Sequence, residues 1–80
     1  MPPLRYPLDE LARLGDAIYD RDVAPNAMPV EGRQFVAIDV ESGAYEIDGD
    51  ELTAARRVLA RNPDAQLWLR RVGWRYLHRV

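Results

Sequence analysis

Two stretches of this chain carry residue types dense enough to do chemistry. The first is acidic: Asp39 and Glu41, followed by Glu46, Asp48 and Asp50 at alternate positions. Clustered carboxylates bind hard cations such as Ca²⁺ or Mg²⁺ through oxygen. The spacing matches no EF-hand loop, however, and Asp48 is well placed to cap a helix, so a solvated or arginine-paired face is the simpler use. The second stretch, Trp68 to Arg79, interleaves arginine with aromatic rings. Trp68, Arg70, Arg71, Trp74, Arg75 and Tyr76 are the candidate partner-binding residues, because Trp, Tyr and Arg are the commonest anchors of protein interfaces. The same composition suits a single-stranded nucleic acid, with Arg70, Arg71, Arg75 and Arg79 on phosphate and the rings on bases. A sequence pI near 5.3 weighs against that second use. The plainest use is a strand whose rings cover helices and whose arginines answer acids elsewhere.

Catalytic candidates are few. His78 is the one histidine and Ser42 the one serine, and they stand far apart in the chain. With no cysteine, thiol nucleophiles, disulfides and cysteine-based metal sites are excluded, and one histidine makes no His–His pair. Paired carboxylates for acid–base work need a cleft that holds them. Eighty residues with short elements rarely build one. The reading is therefore non-enzymatic, and no cofactor or metal is implied.

Patterning supplies the elements that must position these residues. From Pro7 to Asp22 the spacing of Leu8, Leu11, Ala12, Gly15, Ile18, Tyr19 and Asp22 predicts a helix with one apolar stripe. Asp9 and Glu10 suit its positive end. Gly15 on that stripe costs about 1 kcal/mol against alanine unless a close crossing over a sheet requires it. Residues 24–33, with Pro25, Asn26, Pro29 and Gly32, read as a loop. Gln34 to Val40 alternates with both faces largely apolar, which predicts a central strand. A turn at Glu41-Ser42-Gly43, with Gly43 free to take positive φ, leads to a second strand over Ala44 to Asp48. Asp48 with Glu51 predicts a capping box for a second helix, with Leu52, Ala55, Val58 and Leu59 buried and Arg56, Arg57 and Arg61 outward. Asn62-Pro63 stops it. Ala65 to Val72 is a third strand, Gly73 an interruption, and Trp74 to Val80 a further extended stretch.

The order α-β-β-α-β(-β) predicts a small α+β domain spanning 1–80, with a loose arm over residues 1–5. Its sheet is expected to be mixed, three- to four-stranded and covered by two helices. Phe35, Ile38, Leu59 and Leu67 are the expected core. Hydrophobic residues at 48% and charged residues at 30% are ordinary globular values. No apolar run is long enough to span a membrane or read as a signal peptide, so the expected compartment is the cytoplasm.

The charge is polarised, and every basic residue is arginine. Residues 1–51 carry four arginines against twelve acids, and residues 52–80 carry seven arginines against Asp64 alone. Such a chain neutralises itself on folding, pairs with a copy, or shows a basic face to a partner. A homodimer is expected where no partner is present.

The run Phe35-Val36-Ala37-Ile38-Asp39-Val40-Glu41-Ser42-Gly43-Ala44-Tyr45-Glu46-Ile47-Asp48 resembles a family of small uncharacterised bacterial proteins sharing a FVAIDIE-[ST]-G-x-YE-[IV]-D core. The likeness extends to residues 15–23, to 61–65 and to 71–74, and covers roughly residues 7–76. An aromatic-Pro pair often follows the glycine in that family, whereas here Trp74 is followed by Arg75. The resemblance implies no catalytic residues. It implies a gene often encoded beside a retropepsin-like aspartic protease or a toxin–antitoxin-like companion, and hence an antitoxin-like interaction module.

Overall fold

The computed structural model describes residues 4–26 and 34–72. Its elements are helix α1 (Leu8–Ile18), strands β1 (Phe35–Asp39) and β2 (Tyr45–Asp48), helix α2 (Glu51–Arg61) and strand β3 (Leu67–Arg71). The three strands form one sheet in the order β2-β1-β3, and β1 is antiparallel to both neighbours. The expected mixed sheet is thus corrected to an antiparallel one. The reason is topological: the α2 crossover makes β2 and β3 parallel to each other but seats β1 between them, so no two parallel strands touch. The expected extra strand after Gly73 lies outside the described residues.

Alternation along β1 divides the core between the two faces. Val36 and Ile38 pack with Ile18, Tyr19 and Val23 on the α1 face, joined by Tyr45 and Ile47 of β2. Ala37 packs with Ala54, Ala55, Val58, Ala65 and Leu67 on the α2 face. A strand that buries both faces is central, as its two-sided apolar pattern predicts. Ile38 and Leu67 are core, but Phe35 and Leu59 are only half-buried, which corrects the expected core set.

The first helix runs on past its regular part. Tyr19–Val23 forms a π turn, closed by the Ala24 N–H on the Tyr19 carbonyl, and Ala24–Asn26 a 3-10 turn. A bond of the i→i+5 type takes in one extra residue, so the apolar stripe slips by one position. Val23 is buried in place of the expected Asp22, which pairs instead with Arg21 at 2.8 Å. At the other end Leu8 is two-thirds exposed, because the helix begins there with Pro7 as its N-cap.

Helix α2 is also set differently from its predicted stripe. Asp50, not Asp48, is the N-cap, its carboxylate accepting from the Thr53 N–H at 2.9 Å. Asp48 accepts from the Asp50 N–H at 2.8 Å and pairs with Arg57 at 3.2 Å. Ala54, Ala55 and Val58 are buried while Leu52 is 56% exposed. Two alanines over Ala37 let the helix sit close on β1, and that close seating turns Leu52 outward.

Candidate functional site

Each helix covers a different part of the sheet. α2 lies over β1 and β2 and barely meets β3, whereas α1 lies over β3 and, to a lesser extent, β1. The α2 face of β3 is therefore only partly covered.

On the α1 face the seam is closed. The backbone of Gly15 lies so near the Trp68 indole that a β-carbon there would come 2.6 Å from the Trp68 Cβ, within atomic contact. This close crossing is the packing reason for a glycine on the stripe. The Trp68 indole N–H donates to Asp16 Oδ1 at 3.0 Å, and the Arg70 guanidinium donates to the same oxygen at 2.8 Å. Arg70 also stacks over Tyr19, 3.8 Å from the ring centroid. Of the candidate partner-binding residues, Trp68 and Arg70 are thus brought together, but against α1. Arg71 lies on the opposite face over Phe35, at 6.0 Å. Trp74, Arg75 and Tyr76, like His78 and Arg79, lie outside the described residues.

The acidic run disperses into structural work. Arg61 pairs with Glu46 at 2.8 Å and Arg57 with Asp48, so arginines of the basic half answer acids of the acidic half, as Arg70 does with Asp16. Arg5 and Tyr6 both bond Glu41. Arg5, expected at the end of a loose arm, is also tied through its N–H to the Gln66 side chain at 2.7 Å. Among the described residues no group of His, Asp and Glu side chains is arranged to hold a metal.

Asp39 is fully buried and both its oxygens are saturated. Oδ1 accepts from the Glu41 N–H at 3.1 Å and the Gln66 N–H at 3.0 Å. Oδ2 accepts from the Ser42 hydroxyl at 2.7 Å and the Asn62 amide at 2.9 Å. Burial pushes this carboxyl up, but the four hydrogen bonds outweigh it and hold the group below its ordinary range. A carboxylate so stabilised is a weak base, so the Ser42–Asp39 contact does not make Ser42 a nucleophile. The cluster instead joins the hairpin turn, the end of α2 and the start of β3. Gly43 completes that turn at φ +83°, the positive φ predicted for it.

Beyond this knot, α2 and β3 enclose an open groove of about 460 Å³, lined by Glu51, Leu52, Ala55, Arg56, Leu59 and Leu69. Leu69 is the residue of β3 in that lining, and β3 pairs with β1 along one side. The Val40 N–H bonds the Gln66 carbonyl and the Val72 N–H the Gln34 carbonyl, both across the β1–β3 pairing. By alternation Trp68 and Arg70 also turn their backbone groups to β1. Leu67, Leu69 and Arg71 turn theirs outward, where no strand pairs with them among the described residues.

Sequence reasoning missed this groove. Leu52 and Leu59 carry apolar spacing that reads as core, and the offset of a helix across a sheet leaves no local mark. Comparison with protein-family models, curated proteins and solved structures found no match to this chain. No helix of the described residues is long and apolar enough to cross a membrane.

Proposed function

We propose that this chain is a non-enzymatic protein-interaction module, antitoxin-like in acting by occupying a partner protein. The binding surface is the outer edge of β3 together with the groove beside α2. One observation carries the reading: a strand edge that no strand pairs with among the described residues and an open apolar groove meet on the same strand, at Leu69. Strand edges recruit extended segments through main-chain hydrogen bonds, and adjoining pockets select their side chains. This moves the binding surface away from the Trp68–Arg70 face, which α1 occupies. It also weighs against nucleic acid, since Arg70 directs its charge to Asp16 and its plane to Tyr19. The family resemblance nominates the companion proteins of two-gene units, retropepsin-like or toxin-like, as first candidates for the partner.

Site-specific photo-crosslinking in the native host tests the proposal. A photoreactive residue at Leu52, on the groove, should yield a discrete protein adduct that the same residue at Arg13, on the exposed side of α1, does not. Identical adducts at both positions, adducts with nucleic acid alone, or none at Leu52 would overturn it.

A further inference from the structure

We propose that the segment seated in the α2–β3 groove is an extended, acidic and apolar stretch of a partner protein, leucine-like where it meets Leu69 and carboxylate-bearing beside Arg56 and Arg71. That the occupant is a protein rests on the reading above, and its chemistry rests on the charges around the groove.

Ion pairing singles out these two arginines. The described residues include eight arginines, and six of them, Arg5, Arg13, Arg21, Arg57, Arg61 and Arg70, each hold a carboxylate at ion-pair distance. Among the described residues Arg56 and Arg71 hold none. Thr53 chiefly, and Arg56 only from a distance, keep the Asp50 carboxyl below its ordinary range. Arg71 lies over Phe35 at 6.0 Å from the ring centroid, which occupies the guanidinium plane and keeps its N–H edge for an acceptor.

Both stand at the groove. Arg56 lines it, and Arg71 follows Leu69 by two positions on the same face of β3. Phe35 pairs with Asp48 on one side and Arg71 on the other, so Arg71 lies at the end of the sheet where β2 gives way to α2. Glu51, Leu52, Ala55 and Arg56 belong to the first turns of that helix. Leu52, Ala55, Leu59 and Leu69 thus make the apolar lining, and two cations stand against the one carboxylate of Glu51.

An occupant must answer both properties. A purely apolar one would cover surface beside two guanidiniums and take water from them without a partner in return. Residues 73–80 of this chain carry Arg75 and Arg79 and no acid, so they bring like charge. An extended segment suits the groove because its alternate side chains share one face. Its main chain can also bond Leu67, Leu69 and Arg71, whose outward backbone groups no strand pairs with among the described residues.

The probe is a fluorescein-labelled peptide, Glu-Thr-Leu-Thr-Leu-Thr-Glu, whose leucines and glutamates share a face in either strand direction. By anisotropy on the full chain it should bind at least about fivefold more tightly than the same peptide with Gln for Glu, and the peptide with Lys should bind weakest. Raising salt from about 50 to about 500 mM should erase most of that difference. Arg56→Gln and Arg71→Gln, each checked for folding by circular dichroism, should each cost about twofold to threefold with the Glu peptide and nothing with the Gln peptide. The double variant should not discriminate between them. Equal binding of all three peptides, none detectable at about 1 mM, or discrimination that survives in the double variant would each overturn the proposal. So would tighter binding of decanoate than of the Glu peptide, or a Leu52 photo-crosslink to this chain itself, within one copy or between two. Equal peptide binding with a discrete partner adduct at Leu52 refutes this inference alone. Charge-ordered peptide binding with no adduct at Leu52 refutes the partner reading alone.

Discussion

Helix α2 and strand β3 meet twice, and the two meetings are built on opposite principles. At one end Asn62 and Gln66, the residues that leave the helix and enter the strand, are both bonded to the buried Asp39 carboxylate. Along the rest of their length the two elements diverge around an open groove lined by leucine. The knot is polar, saturated and closed, whereas the groove is apolar and open. A buried charge must have every lone pair answered, which forces its neighbours into one arrangement. Apolar surface makes no such demand, so it can be left for another molecule to cover. The two elements are thus tied by polar groups at one end and line an apolar groove along the rest.

The contrast breaks first at Asp39. Asp39→Ala leaves the buried Gln66 N–H and the part-buried Glu41 N–H without acceptors and should cost about 3 kcal/mol in urea unfolding, a large part of the stability of so small a domain. Unchanged stability would show that the knot does not hold α2 to β3. The pH dependence follows in sign. A carboxyl held below its ordinary range contributes its full stability above about pH 5, and that contribution is lost as pH falls through its folded pKa. The wild type should therefore lose stability below about pH 5, and Asp39→Asn should lose less over the same range. Glu41, lowered by its bonds to Arg5 and Tyr6, and Asp50, lowered by Thr53, keep some of that acid limb in the variant.

The opposite face offers a second closed seam. Gly15→Ala drives a methyl group into the Trp68 indole and should destabilise by about 2–3 kcal/mol, despite the better helix propensity of alanine. A melting temperature equal to or above the wild type would show that α1 can shift at no cost. Sharper still is a pair of adjacent residues on α2. Val58→Ala, in the closed core, should cost about 2 kcal/mol, and Leu59→Ala, on the groove, about 1 kcal/mol although it removes more atoms. A reversed order in chemical denaturation would place Leu59 in the core and close the groove. Smallest of all, Leu52→Gln should move stability by no more than about 0.5 kcal/mol while abolishing the photo-crosslink from a probe at Leu59.

Much of the fold was legible because local rules set it. The apolar alternation of β1, the stop at Asn62-Pro63 and the turn ending at Gly43 each reflect a property of a few adjacent residues. The misreadings share a cause as well. Asp48 and Asp50 are both good caps, and only the backbone course out of β2 selects Asp50. The π turn that exchanges Asp22 for Val23 is no property of a 3.6-residue pattern. The glycine at 15 was legible as a close crossing, but not that Trp68 is what crosses it. The candidate site was legible only in part: the residue types of an interface were visible in Trp68, Arg70 and Arg71, but their directions were not.

By itself the sequence determined that this is an α+β domain with one two-sided central strand, a polarised set of arginines and no cysteine chemistry. These follow from composition and from periods of two and of three to four residues. Tertiary structure decided that the three described strands are antiparallel neighbours, that Trp68 and Arg70 serve α1, and that Leu52, Leu59 and Leu69 border a groove. The physical reason is that pattern marks which residues prefer burial, while the placement of one element over another decides which of them obtain it. At Ala37, Ala54 and Ala55 the small side chains seat α2 over β1 and β2, and the open strip along β3 is what that seating leaves.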